Sequence, residues 1–181
     1  MLIRMDAIPE EGLALDLEED GGRIVEYIAG ADFSIPSTVK AALTVRTVDK
    51  SVYIGGEVRC AITFECGRCL KEFSVDFQSP VSVFFSRRGL QESESESERE
   101  LKAGDLDVNP FDDDDAGAGI DTNRVIASQI SMEMPMKPLC MPDCKGLCHK
   151  CGADLNKGAC GCGVEEHVDR RFAALKDFKV K

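Results

Sequence analysis

The sequence predicts an α+β protein, with an antiparallel β-sheet or barrel-like core, a few short helices and a cysteine-rich C-terminal segment. Two observations lead to this fold class. Apolar and β-branched residues alternate with polar ones through much of the first half, and six of the nine cysteines fall within residues 140–162. The 181 residues suffice for one domain of ordinary size. We expect a β core at 1–90, a flexible acidic loop at 91–119 and a C-terminal part at 120–181.

The β core is predicted from runs in which apolar positions recur with period two. Residues 39–48 form the first strand and residues 52–64 the second. Two further strands are expected at 73–77 and 81–85. The C-x2-C motif at 66–69 separates the second strand from the third. It is therefore expected at the tip of an antiparallel hairpin, where both sulfur atoms can point outward.

The segment at 91–119 interrupts this pattern with a strongly acidic composition. Serine and glutamate alternate from Glu92 to Glu98, and four consecutive aspartates occupy 112–115. Such a segment cannot bury enough apolar surface to offset the entropy cost of ordering it, so we predict a flexible loop. A solvated spacer is the simpler interpretation, and a binding site for a basic partner is the alternative.

A short helix is expected after the acidic loop. Asp121 or Thr122 can cap its N-terminus, and Pro135 ends it. Ile126 and Ile130, together with Met134, lie on one face of this helix. That apolar face is expected to pack on the sheet.

A second helix is expected from about Glu165 to Phe178. Val168, Phe172 and Leu175 stand at i, i+4 and i+7 of this segment and form one apolar stripe. Packing of the stripe on the protein's own core is the preferred interpretation, and a binding surface for a partner is the alternative.

The cysteines are expected to bind metal rather than to form disulfides. The first 17 residues are acidic, with Arg4 as the only basic residue, so we expect no signal or transit peptide. No run of about 18 apolar residues predicts a membrane span. We therefore expect a cytoplasmic protein, in a compartment where thiols stay reduced. Clustered thiolates in turns are typical of structural Zn²⁺ sites.

The spacing favours two tetrahedral zinc sites. Eight cysteines occur in four close pairs: Cys66/Cys69, Cys140/Cys144, Cys148/Cys151 and Cys160/Cys162. The last two pairs are near enough in sequence to close one site locally. The other two pairs would then form the second site, with Cys60 left as a core thiol. A competing assignment places Cys140 or Cys144 in the C-terminal site and leaves Cys66 and Cys69 as free thiols.

The long-range site is energetically feasible. Closing the loop of about 70 residues between Cys69 and Cys140 costs about 4 kcal/mol. A structural zinc ion contributes on the order of 10–16 kcal/mol of apparent binding free energy. His149 and His167 could each replace a sulfur ligand, but neither is required.

Enzymatic chemistry is not indicated. Four thiolates fill the coordination shell, whereas a catalytic zinc keeps an open position for water. Thioredoxin-like redox chemistry needs a C-x2-C motif at the start of a helix, and a strand follows this one. The chain has no Gly-rich phosphate loop, nucleophile elbow or HExxH motif. We expect no catalytic residues and no small-molecule substrate.

Four spaced motifs resemble the YceD family. They occupy residues 64–73, 134–140, 144–156 and 168–175, and the resemblance covers roughly residues 40–178. It implies a non-enzymatic factor in large-subunit ribosome biogenesis that contacts 23S ribosomal RNA or its precursor. Some family members lack the second set of C-terminal cysteines, which favours the two-site pairing. This chain departs from the family pattern at 132–136, which is methionine-rich, and at His149, where a proline is common.

Five basic residues near the cysteine turns are candidate RNA contacts: Arg68, Lys71, Lys145, Lys150 and Lys157. Such cations position phosphates rather than read sequence. The net charge of −11 does not by itself favour a nucleic-acid partner. The alternative function is a zinc-stabilised protein-interaction module whose acidic loop holds a basic partner, such as a ribosomal protein. Ribosomal RNA or a precursor of the large subunit is the preferred partner.

Overall fold

The computed structural model describes residues 1–48, 51–87, 108–111 and 119–162. It confirms an α+β fold built on a mostly antiparallel sheet with two α-helices. The elements in chain order are β1 (Leu2–Ile3), a 3₁₀ turn (Met5–Ala7), β2 (Leu13–Asp20), α1 (Gly21–Val25), β3 (Phe33–Ser34), β4 (Thr38–Val48), β5 (Ser51–Glu65), β6 (Glu72–Arg87), β7 (Val108–Phe111), β8 (Ile120–Asp121) and α2 (Thr122–Glu133). Within these ranges, no helix has the length and apolar character needed to cross a membrane.

The main sheet has the strand order β2-β4-β5-β6-β7, and β3 pairs with β5 beyond the end of β4. Every pairing in it is antiparallel except β6 with β7, which is parallel. β1 and β8 form a separate two-stranded ladder. β2 and β7 stand at opposite ends of the order, so the described strands form a sheet with two edges.

The strands expected at 39–48 and 52–64 are confirmed as β4 and β5, but two other details differ. The strands expected at 73–77 and 81–85 are one continuous strand, β6, which runs through Pro80. At Pro80, β6 pairs with β5 on one side, and among the described residues β7 lies on the other side only from Phe84 onward. Proline is tolerated at such a position because its missing N–H is not needed for pairing with a second strand. β2 was not predicted, although Leu13, Leu15 and Leu17 alternate with polar or small residues.

The acidic segment is only partly covered by the described residues. The prediction of an irregular loop is wrong at Val108–Phe111, which forms β7. Most of 91–119 lies outside the described residues, and so does the helix predicted at 165–178.

Helix α2 begins and ends as the sequence predicts. Asp121 is its N-cap, and the carboxylate accepts a hydrogen bond from the backbone N–H of Asn123 at 3.0 Å. Ile126 and Ile130 are fully buried against the sheet. The core is made of apolar residues from both helices and the central strands: Ile24, Val39, Leu43, Val45, Val52, Ile54, Val58, Ile62, Val125, Ile126 and Ile130.

Strands β4 and β5 approach closely at Gly56. Its φ is +151°, and a Cβ there would overlap the carbonyl oxygen of Ala42 on β4. Only glycine fits this position without moving the backbone. The pairing of β4 with β5 positions the far end of β5, which carries the first cysteine motif.

Candidate metal centres

The first C-x2-C motif lies at the tip of the β5–β6 hairpin, as the sequence predicts. The backbone N–H of Cys66 donates to the carbonyl of Lys71 at 2.9 Å, and that of Leu70 donates to the carbonyl of Cys66 at 3.0 Å. Leu70 has a left-handed backbone with φ of +57°, which closes the turn. This tight turn holds Cys66 and Cys69 on the same side of the tip.

Four thiols from distant parts of the chain meet at this tip. Cys66, Cys69, Cys140 and Cys144 have all their sulfur atoms within 4.8 Å of one another. The Sγ atoms of Cys66 and Cys144 are 3.8 Å apart, and those of Cys69 and Cys140 are 3.6 Å apart. A disulfide would bring two sulfurs to about 2 Å, whereas a tetrahedron with metal–sulfur distances of about 2.3 Å has edges of about 3.8 Å. The cluster, which we call site 1, therefore has the dimensions of a tetrathiolate metal site.

The second cluster, site 2, is built from the C-terminal segment alone. Cys148, Cys151, Cys160 and Cys162 likewise have their sulfurs within 4.8 Å of one another. The backbone N–H of Cys148 donates to the carbonyl of Ala153 at 2.8 Å, and Gly152, with φ of +71°, donates to Cys148 at 2.8 Å. The structure thus groups the thiols as the two-site pairing predicts and not as the competing assignment does.

The two sites differ in their exposure to solvent. In site 1, Cys66 is 0%, Cys69 4% and Cys144 1% exposed. In site 2, only Cys148 is buried, and Cys151 is exposed. Site 1 is part of the folded interior, whereas site 2 lies at the surface.

Backbone N–H groups stabilise thiolates in both sites. The N–H of Cys140 lies 3.5 Å from Cys66 Sγ and is the main reason why the pKa of Cys66 falls to about 6. Hydrogen bonds from the backbones of Cys151 and Lys150 lower the pKa of Cys148 to about 6. In contrast, burial raises the pKa of Cys60 to about 11, as expected for the core thiol. Within the clusters, burial raises the pKa of Cys140 to about 12, and the hydrogen bond with the neighbouring Cys151 thiol raises the pKa of Cys162 to about 12. The backbone therefore favours the thiolate, which is the ligand form, at one cysteine of each site.

The C-terminal segment also docks on the hairpin tip through its backbone. Gly67 N–H donates to the carbonyl of Pro138 at 2.9 Å, and Leu147 N–H donates to the carbonyl of Arg68 at 3.2 Å. The guanidinium of Arg68 donates to the carbonyl of Cys144 at 2.7 Å. Gly146, with φ of +76°, allows this approach, because a Cβ there would lie 2.9 Å from the oxygen of Arg68.

Two polar residues of the C-terminal segment, Asp154 and Asn156, contact the hairpin tip and site 1. The sequence predicted no role for either. Asp154 forms an ion pair with Lys71 at 2.7 Å, which lowers the pKa of its carboxyl to about 2. Asn156 donates from Nδ2 to Cys144 Sγ at 3.4 Å and accepts from the backbone N–H of Lys145 at 2.8 Å. Both lie between the two cysteine pairs of site 2. The sequence signal for them was their place in the family-like motif at 144–156, shortly after Cys151.

The candidate RNA contacts fall into two groups. Arg68 and Lys71 hold the C-terminal segment against the hairpin tip, as described above. Lys145 and Lys157 are exposed, and Lys150 reaches the carbonyl of Cys162 at 3.5 Å. Arg68 and Lys71 thus lie at the hairpin tip, and the three lysines lie on the C-terminal segment that carries site 2.

The family model described as "Large ribosomal RNA subunit accumulation protein YceD" matches residues 54–179, which include all eight clustered cysteines. The chain belongs to the YceD family. A relative from Arabidopsis thaliana, named as a chloroplastic YCED homolog 1 for large ribosomal RNA subunit accumulation, is 27% identical over 163 residues. The alignment covers 82% of this chain and 50% of that protein.

Other relatives of this YceD-family chain come from bacteria and a second plant. An uncharacterized protein of Mycobacterium tuberculosis is 30% identical over 137 residues, which cover 75% of this chain and 59% of that protein. The Zea mays homolog 1 is 30% identical over 172 residues, with 82% and 55% coverage. The chain thus spans between half and three fifths of the length of these relatives. No solved structure matches it.

The contact of Asn156 with site 1 gives a testable prediction. Replacing Asn156 with Ala removes the hydrogen bond to Cys144 Sγ. The metal affinity of site 1 should fall by about tenfold, because residues that hydrogen-bond to metal ligands typically contribute that much to affinity. Competition with a chromogenic chelator measures the affinity. Lys157→Ala, at the exposed neighbouring position, should leave it unchanged. Equal affinities for both variants would show that Asn156 has no influence on the site.

Proposed function

We propose that this protein is a non-enzymatic, zinc-stabilised factor in the biogenesis of the large ribosomal subunit. In this proposal, it binds 23S ribosomal RNA or its precursor and supports processing or accumulation of that RNA. Membership of the YceD family carries the proposal, because the family model and the plant relatives are named for large-subunit ribosomal RNA accumulation. The cytoplasm is the expected place of action, where a bacterial large subunit is assembled.

Zinc is the proposed ion for both sites. Tetrahedral sets of four thiolates favour Zn²⁺ or an iron–sulfur cluster over hard cations such as Mg²⁺ and Ca²⁺. Sulfur separations of 3.6–3.8 Å fit one ion at the centre of site 1. Elemental analysis of the reduced, freshly purified protein should give two zinc ions per chain. Iron in place of zinc would contradict this assignment.

A structural rather than catalytic role follows from the ligand count. Four protein sulfurs per ion leave no coordination position for water or substrate. Site 1 instead fastens the C-terminal segment to the hairpin tip, and site 2 orders a segment that has little apolar core of its own. In this proposal, metal binding at the two sites makes the C-terminal segment a rigid surface that carries exposed lysines.

The proposed RNA contact is the lysine-bearing surface of the C-terminal segment. Lys145 and Lys157 are exposed, and neither forms an ion pair with any carboxylate in the described part of the chain. Lysine side chains of this kind contact phosphates and hold RNA in position. With a net charge of −11 on the chain, such binding must come from local cations and should weaken as salt rises.

The proposed RNA binding is tested with paired charge reversals. Lys145→Glu with Lys157→Glu should weaken binding to fragments of 23S RNA and lower the salt slope by about two. The control, Lys40→Glu with Arg46→Glu, makes the same charge change at exposed positions on β4 and should retain the slope. Absence of salt-sensitive binding by the wild type, or of co-sedimentation with large-subunit precursors, would exclude direct RNA contact.

The alternative function rests on the eleven acidic residues at 91–115. If that segment holds a basic partner such as a ribosomal protein, deleting it should abolish partner capture. Under the proposed function, the deletion should leave RNA binding intact.

A further inference from the structure

The core face of the sheet extends beyond the end of α2. Helix α2 lies over β6 at Ser79, whose hydroxyl accepts a hydrogen bond from Gln129 Nε2 at 2.9 Å. The helix ends at Glu133, but the same face of β6 continues with Phe73, Val75 and Phe77. Their partners on β5 are Phe64, Ile62 and Cys60.

The segment between α2 and site 1 covers this extension only in part. It runs from Met134 to Leu139 and leaves a cavity of about 320 Å³ between itself and the strands. We call this cavity the β6 groove. Its floor is apolar, and Val75 on its floor is 46% exposed. Glu133 and Lys137 are the charged residues that line it.

We propose that the β6 groove is the docking site of the C-terminal segment, residues 165–178, which binds there as an amphipathic helix. The segment lies outside the described residues, and its sequence supplies the matching surface. Val168, Phe172 and Leu175 form one apolar stripe at helical spacing.

The dimensions of stripe and groove agree. The stripe extends over about 10 Å of helix, from Val168 to Leu175. The groove floor from Phe73 to Phe77 extends over about 14 Å of strand. The residues between Cys162 and Val168 can span up to about 20 Å. Asn156, between the cysteine pairs of site 2, contacts Cys144 of site 1. Leu139, which lines the groove, directly precedes Cys140 of site 1. The C-terminal segment follows site 2 and therefore begins near the groove.

Charge and tethering favour this occupant over a separate molecule. On a helix, Arg171 lies on one flank of the stripe and Asp169 on the other. The groove offers Glu133 and Lys137 as partners of opposite sign. A segment joined to the groove by a short linker also competes at an effective concentration in the millimolar range. The apolar stripe therefore has a complementary surface within the same chain.

Hydrogen exchange of the full-length protein tests the proposal with two variants. Val75→Asp places a charge on the groove floor, and Val48→Asp makes the same change at the end of β4, where the side chain is also 46% exposed. The amides of 165–178 should be protected in the wild type. Their exchange should become about tenfold faster in Val75→Asp and remain unchanged in Val48→Asp.

The reciprocal change is made in the segment. Phe172→Asp disrupts the stripe, whereas Ala174→Asp adds the same charge on the opposite helix face. In ¹³C-methyl spectra, the signal of Met134, which lines the groove, should shift with Phe172→Asp and not with Ala174→Asp.

Three results would overturn the proposal. The first is an absence of protection at 165–178 in the wild type. The second is an equal response to Val75→Asp and Val48→Asp. The third is protection that depends on protein concentration, because this would assign the groove to a second copy of the chain. None of these depends on RNA binding, so the outcome is independent of the proposed function.

Discussion

Cys66→Ser should reduce the bound zinc from two ions per chain to one. Cys66 is fully buried in site 1, and its sulfur lies 3.8 Å from that of Cys144. A serine hydroxyl is not ionised at neutral pH, so the remaining three thiols would bind zinc far more weakly. Elemental analysis after removal of loosely bound metal measures the stoichiometry.

The same variant should be strongly destabilised. A structural zinc contributes on the order of 10–16 kcal/mol of apparent binding free energy, which is comparable to the total stability of a domain. Without the ion, the described contacts between the C-terminal segment and the hairpin tip are a few hydrogen bonds, one ion pair and the packing of Leu139 and Leu147. We expect the melting temperature to fall by more than about 10 °C and the amide of Leu147 to lose its protection.

Cys60→Ser is the matched control for this prediction. Cys60 is half-buried on β5 and belongs to neither cluster. Its replacement should cost about 1 kcal/mol and leave two zinc ions bound. A wild-type stoichiometry for Cys66→Ser, or a loss of zinc from Cys60→Ser, would contradict the assignment of the ligands.

The grouping of the thiols could be predicted from sequence because coordination chemistry restricts it. Each close cysteine pair supplies two ligands, a tetrahedral site needs four, and site 2 can close locally between Cys148 and Cys162. The remaining pairs, at Cys66 and Cys140, were then expected to meet across about 70 residues, and the structure excludes the competing assignment that the sequence left open. The period-two pattern of β5 placed the first of these pairs at a hairpin tip.

Other features depend on contacts that sequence patterns do not encode. β7 is a short parallel strand inside an acidic segment, and its four residues carry little pattern of their own. The sequence predicted two strands where β6 is continuous, and at Pro80 the described residues pair β6 with β5 alone, so the missing N–H of the proline is tolerated. The roles of Asp154 and Asn156 arise only when site 2 is folded against the hairpin tip, because both act across the boundary between the two sites.

Cys151→Ser should also reduce the bound zinc from two ions to one, but with a different structural consequence. Within the described residues, site 2 is closed by residues 148–162, and no strand of the sheet supplies a ligand to it. Cys151 is exposed, so its replacement leaves no buried cavity. The melting temperature of the sheet should change by less than about 5 °C.

Amide exchange at the hairpin tip distinguishes the two variants. In Cys151→Ser, site 1 keeps all four ligands, so the N–H groups of Gly67 and Leu147 should stay protected by their contacts across the tip. Because Asn156 is held less firmly once site 2 is empty, site 1 should bind its zinc somewhat more weakly than in the wild type. Loss of both ions, or loss of protection at Leu147, would contradict this prediction, because it would mean that site 1 cannot form without site 2.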